Sequence, residues 1–111
     1  MELIAIKLRA VDLENPDADI RYELPDLLEA RSNGVLSSNW YDYVGPKHDL
    51  VMFLDATELQ PAVECVLEVV KNVRVLGNDL SRACVVAVRR EGSFQVIYPE
   101  GDDGEFEVNE A

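Results

Sequence analysis

The 111 residues include 22 acidic and 10 basic side chains, giving a formal net charge of −12 at pH 7. Hydrophobic residues make up 48%, enough for one core in one domain. The charge excludes nucleic acid and an anionic membrane surface as direct partners, because both would repel the chain. No apolar run approaches the roughly 18–20 residues that span a bilayer. Met1-Glu2-Leu3-Ile4 lacks the basic region that opens a signal peptide, so the expected location is the cytoplasm.

In chain order, Met1 to Val11 reads as a strand, with Ile4, Ile6, Leu8 and Ala10 sharing one face. Asp12 to Glu23 is acidic and polar, with a turn at Asn15-Pro16-Asp17 and Ile20 and Tyr22 as anchors. Pro25 to Asn33 reads as a short helix. Pro25 suits its first position, and Asn33-Gly34 its stop. Val35 to Val44 holds Val, Trp and two Tyr, good strand residues, but Ser37 and Ser38 place the start of regular strand near Asn39. Gly45-Pro46-Lys47-His48 is a turn, and Asp49 to Leu54 a strand apolar on both faces. The four-residue connection implies a hairpin.

The strongest local signal follows. Thr57 suits a helix N-cap, with Gln60 completing a capping box and Pro61 in the first turn. Leu59, Ala62, Val63, Val66, Leu67, Val70 and Val73 recur every three or four residues, the stripe of a helix on a core. Valine is a mediocre helix former, so burial rather than propensity must hold this helix. Glu68 and Lys71 make a favourable i,i+3 pair, and Gly77 is the expected terminator. Leu76 to Ser81 reads as a loop. Arg82 to Arg90 and Ser93 to Tyr98 read as paired strands about Glu91-Gly92, with Phe94, Val96 and Tyr98 on one face.

The order strand, helix, strand, strand, helix, strand, strand defines an α+β two-layer sandwich. A mainly antiparallel sheet would carry both helices on one face. That is a ferredoxin-like βαββαβ plan with an extra C-terminal strand. Residues 1–99 form the domain. Residues 100–111 form an acidic tail with six carboxylates.

No P-loop, GxGxxG, GxSxG, HExxH or zinc pattern is present. The sequence therefore names no catalytic residue, cofactor or metal. Cys65 and Cys84 read as reduced core thiols. His48, the single histidine, reads as a surface turn residue, since one proton-transfer group beside Asp49 makes no catalytic set. Asp102, Asp103 and Glu105 lack the spacing of a calcium loop and read as solvated charge.

Two features remain, surplus carboxylates and an aromatic strand. Trp, Tyr and acidic groups together suit docking on a basic protein. The expected contacts are Trp40, Tyr41, Asp42 and Tyr43, joined by Asp17, Asp19, Glu23 and Asp26. Size, charge and the lack of a catalytic set resemble the small acidic immunity proteins that inhibit basic bacterial toxins. That resemblance implies a protein-binding module and carries no residue-level motif. Two other readings compete with it. One is a small enzyme or ligand-binding domain with a pocket between sheet and helices, using His48, Asp49 and the tyrosines. The other is a subunit that self-associates through a sheet edge.

Overall fold

The computed structural model describes residues 2–15, 19–46, 49–90 and 92–99. It is an α+β fold with two helices and a five-stranded antiparallel sheet. Strands β1 (Glu2–Leu8), β2 (Leu36–Val44), β3 (Asp49–Ala56), β6 (Cys84–Arg90) and β7 (Ser93–Tyr98) lie in the order β2-β3-β1-β6-β7. A separate two-stranded hairpin pairs β4 (Arg74–Val75) with β5 (Asn78–Asp79). Neither helix is long and apolar enough to cross a membrane.

Period-two alternation sorts the strands. Ile4, Ile6 and Leu8 of β1, Leu50, Met52 and Leu54 of β3, and Cys84, Val86 and Val88 of β6 join one buried cluster. The buried sides of both helices belong to that same cluster. A smaller cluster holds Ala5, Val44 and Val51, with Phe53 and Phe94 packed beside them. Ala5 and the pair Val51 and Phe53 are the alternate residues of β1 and β3, so these two strands carry apolar side chains on both faces.

Helix α1 (Ile20–Arg31) begins five residues before the expected start. The Asp19 carbonyl accepts from the amides of Tyr22 and Glu23, which opens the helix. Pro25 is therefore an interior residue, not the first one. An interior proline costs about 3 kcal/mol. Burying Ile20, Leu24 and Leu28, all at most 2% exposed, returns about 1.5–3 kcal/mol each. Packing wins, and Ile20 and Tyr22 are helical rather than loop anchors. The far end matches expectation. The Gly34 amide donates to the Glu29 carbonyl and that of Asn33 to Ala30, with Asn33 and Gly34 at positive φ.

Helix α2 (Leu59–Asn72) buries Ala62, Val66 and Val70 of the expected stripe, and Val69, which lies outside it, is buried as well, while Leu67 is only half-buried. Both of its ends differ from expectation. Thr57 makes no cap, because β3 continues through Ala56 and the Thr57 amide donates to the Val35 carbonyl. The stop is Val73, in extended conformation, not Gly77. Leu76-Gly77, both at positive φ, instead make the two-residue turn of the β4–β5 hairpin. Glu68 pairs with Arg31 at 3.6 Å, while Lys71 lies over the Tyr98 ring at 5.6 Å.

Two bulges decide which side chains face which way. Strand β2 starts at Leu36, not near Asn39, and Ser38 pairs with Leu54. Asn39 has no partner in the ladder, and Trp40 pairs with Phe53. One extra residue reverses the alternation. Leu36 lies opposite Ala56, and Tyr41 opposite Met52, so both face the helix-side cluster despite their odd spacing. A second slip opposite Val86 and Ala87 leaves Ile97 unpaired. Phe94 and Val96 therefore share a face that Tyr98 does not, and Ile97 and Tyr98 both pack on the helix side.

Cys65 and Cys84 are free thiols, one half-buried and one buried. Burial pushes the Cys84 thiol from its ordinary 9.0 up to about 12. The folded value lies above the unfolded one, so this contribution is intact below about pH 9 and is lost as pH climbs toward about 12. The slope is about 1.4 kcal/mol per pH unit. Urea unfolding at about pH 8 and about pH 10.5 should show a smaller alkaline loss for Cys84→Ala than for the parent chain. Equal losses would refute the assignment.

The Asn39 bulge makes its own prediction. Deleting Asn39 forces either Leu36 or Tyr41 off the helix-side cluster, at an expected cost of roughly 2–4 kcal/mol. Asn39→Ala keeps the extra residue and should cost less than about 1 kcal/mol. Chemical denaturation of both variants checks the difference.

Candidate functional site

The aromatic strand and the first turn of α1 meet at the sheet edge. Tyr41 is half-buried against the core, and its ring meets Tyr22 edge-on at 6.0 Å and Tyr43 edge-on at 6.3 Å. Trp40 lies nearly parallel to Tyr41, with centroids 5.8 Å apart. Trp40 is 61% exposed, Tyr22 50% and Tyr43 37%, a large apolar display for so small a domain.

Arg21 binds this group together. Its guanidinium sits 4.7 Å from the Tyr22 ring centroid and 5.4 Å from that of Tyr41, and Nη1 donates to the Tyr43 hydroxyl at 3.3 Å. Nε is enclosed without a hydrogen-bond partner, and the ring faces offset that loss. The hydrogen bond to Tyr43, then the nearby Tyr22 hydroxyl, raises the Arg21 pKa, so it stays charged. The neighbouring Tyr41 hydroxyl, then the Arg21 guanidinium, lowers the Tyr22 pKa, while the Tyr22 hydroxyl raises that of Tyr41.

Four expected contacts, Trp40, Tyr41, Asp42 and Tyr43, thus lie together on β2. Asp42 is half-buried, and its carboxylate accepts from the Tyr43 amide at 2.8 Å. Asp19, Glu23 and Asp26 are exposed on the side of α1 that carries Tyr22, with Glu29 one turn further. Asp17 lies outside the described residues, as do His48 and the acidic tail. Asp49 serves the fold, its carboxylate accepting from the Ala10 amide at 3.0 Å. Among the described residues, no group of three or more His, Cys, Asp or Glu could hold a metal ion.

Arg21 and Tyr22 were not expected at the site. Their signal lay in Ile20, Leu24 and Leu28, spaced by four, which extends the helix back past Pro25 and sets Arg21 and Tyr22 on its flank.

A cavity of about 340 Å³ lies elsewhere, between the end of α1 and α2. Arg31, Ser32, Glu64, Cys65 and Glu68 supply its polar lining. Burial, and then the Glu68 charge, raise the Cys65 thiol pKa, so the thiol is not activated as a nucleophile. None of the aromatic-cluster residues lines that cavity. Comparison with protein-family models, curated proteins and solved structures finds no match.

Tyr41→Phe keeps the ring and removes the hydroxyl that lowers Tyr22. In a 295 nm titration the lowest tyrosine transition should then move to higher pH. An unchanged curve would refute the influence of the Tyr41 hydroxyl on Tyr22.

Proposed function

We propose that the protein is a small acidic binding module that docks on a basic protein partner. Its exposed aromatic cluster, Trp40, Tyr22 and Tyr43 beside carboxylates of α1 and β2, is the observation that supports this reading. Trp and Tyr supply large rigid contact area at small entropic cost. The charge of −12 adds long-range attraction for a cationic surface. Arg21 already occupies the faces of Tyr22 and Tyr41, so Trp40 is the ring best placed to receive a partner's Lys or Arg.

The reading extends to inhibition of a bacterial toxin in the cytoplasm, the immunity-type role that size and charge resemble. The strand order β2-β3-β1-β6-β7, with all pairs antiparallel, supports a ferredoxin-like plan carrying β7 as the extra strand. The helix-side cluster shared by α1 and α2 supports placing both helices on one face. The cavity beside Cys65 favours a second reading, a small-molecule site, and it would use a different surface.

Tagged protein held in low salt, washed with rising salt, tests the first reading. Basic proteins should elute as salt rises, and Trp40→Ala should weaken capture by roughly 30-fold, about 2 kcal/mol. Capture that ignores both salt and Trp40→Ala would end it.

A further inference from the structure

We propose that the outer edge of β2 accepts an extended, lysine- or arginine-rich segment of a protein partner as an added strand. The proposal rests on the docking reading and supplies the backbone geometry of the contact. Strand β2 ends the sheet order, and no described strand pairs with its outer side. It spans nine residues, and beyond the Asn39 bulge Trp40–Val44 is a regular stretch for a short partner strand. Alternation carried from the Arg9–Ala83 bond through the β1, β3 and β2 registers turns the Tyr43 amide outward, where it donates to the Asp42 carboxylate at 2.8 Å. Antiparallel ladders alternate inward and outward residues, so Tyr41 turns its amide and carbonyl the same way.

An added strand would set alternate side chains over α1 and over the opposite face. On the α1 side it meets Tyr22 and the carboxylates of Asp19, Glu23 and Asp26. On the other side it meets Trp40 and Asp42, which pair with Phe53 and Val51 of β3. Arg21 stands among the α1 row, held by the tyrosines, and the three carboxylates outnumber it; the other row offers Asp42 and the Trp40 ring. Asp42 also acts as a guard. It covers the Tyr43 amide until a cation draws its carboxylate away, so a neutral or acidic strand gains less from the same edge. A second copy of the chain brings a charge of −12 to this surface and is repelled. The opposite edge, β7, has the cations Arg89 and Lys71 beside it, which oppose a cationic strand.

The test uses a peptide of about eight residues alternating lysine and valine, and the same peptide with its interior amide nitrogens methylated. Trp40 fluorescence reports affinity, and hydrogen exchange reports the Tyr41 and Tyr43 amides. The expected result is salt-sensitive binding that methylation weakens at least about ten-fold, with Tyr41 and Tyr43 exchange slowed by a similar factor. Equal affinity for the two peptides would overturn strand addition and leave side-chain docking on a basic partner standing. Binding of neither peptide would overturn the proposal. A dimer whose Tyr43 amide is protected without peptide would also overturn it, by giving the edge to a second copy.

Discussion

One unpaired residue governs the candidate site. Asn39 inserts into β2 without a partner on β3, and every side chain after it changes sides. Tyr41 and Tyr43 therefore turn toward α1, where Arg21 and Tyr22 meet them. Trp40 pairs with Phe53 in the ladder and keeps its ring parallel to that of Tyr41 at the edge. The Asn39 side chain helps fix the slip, its Nδ2 donating to Asp55 Oδ1 at 3.0 Å. A regular β2 would send the tyrosines away from Arg21 and aim the Asp42 carboxylate at the helix-side core. That burial would be expensive without a partner. The bulge thus converts an aromatic run into a cluster with one cation at its centre.

The remainder of the molecule makes that edge a firm platform. The interior strands β3, β1 and β6 bury alternate residues in the helix-side cluster, and the opposite set includes Ala5 and Ala87 at 0% exposure. The helix layer is held by valines whose own preference is poor, as α2 demonstrates. Rigid strands of this kind position side chains more accurately than a loop does. The cluster accordingly combines two properties that seldom coexist, large exposed rings and fixed geometry.

Much of the fold was legible in the sequence because it rests on local periodicity. The stripe from Leu59 to Val73, the alternation of Ile4, Ile6 and Leu8, and the hairpin signals at Gly45-Pro46 and Gly92 are all carried by near neighbours. What escaped was decided at long range. Pro25 reads as a helix start until the burial of Ile20 and Leu24 outweighs its cost. Thr57 reads as a cap until Val35, from β2's approach, claims its amide. Neither bulge has a sequence mark, since an unpaired Asn39 or Ile97 is defined only by the strand opposite. For the site, the aromatic half was readable on β2, whereas Arg21 stayed hidden behind the misplaced start of α1.

Asn78 has a further role. It is the buried polar side chain of the described core, at 0% exposure, and it is fully engaged. Its Oδ1 accepts from the Asn15 amide at 2.7 Å, while its Nδ2 donates to the carbonyls of Asn15 at 2.8 Å and Val75 at 3.2 Å. An amide side chain thereby imitates a strand neighbour for a loop 63 residues away. The chain leaving β1 and the chain leaving α2 are laced into one closed circuit around both helices. A contact between such distant points forms only after the long loop has closed, so its strength is felt mainly as slower opening of the finished fold rather than faster assembly.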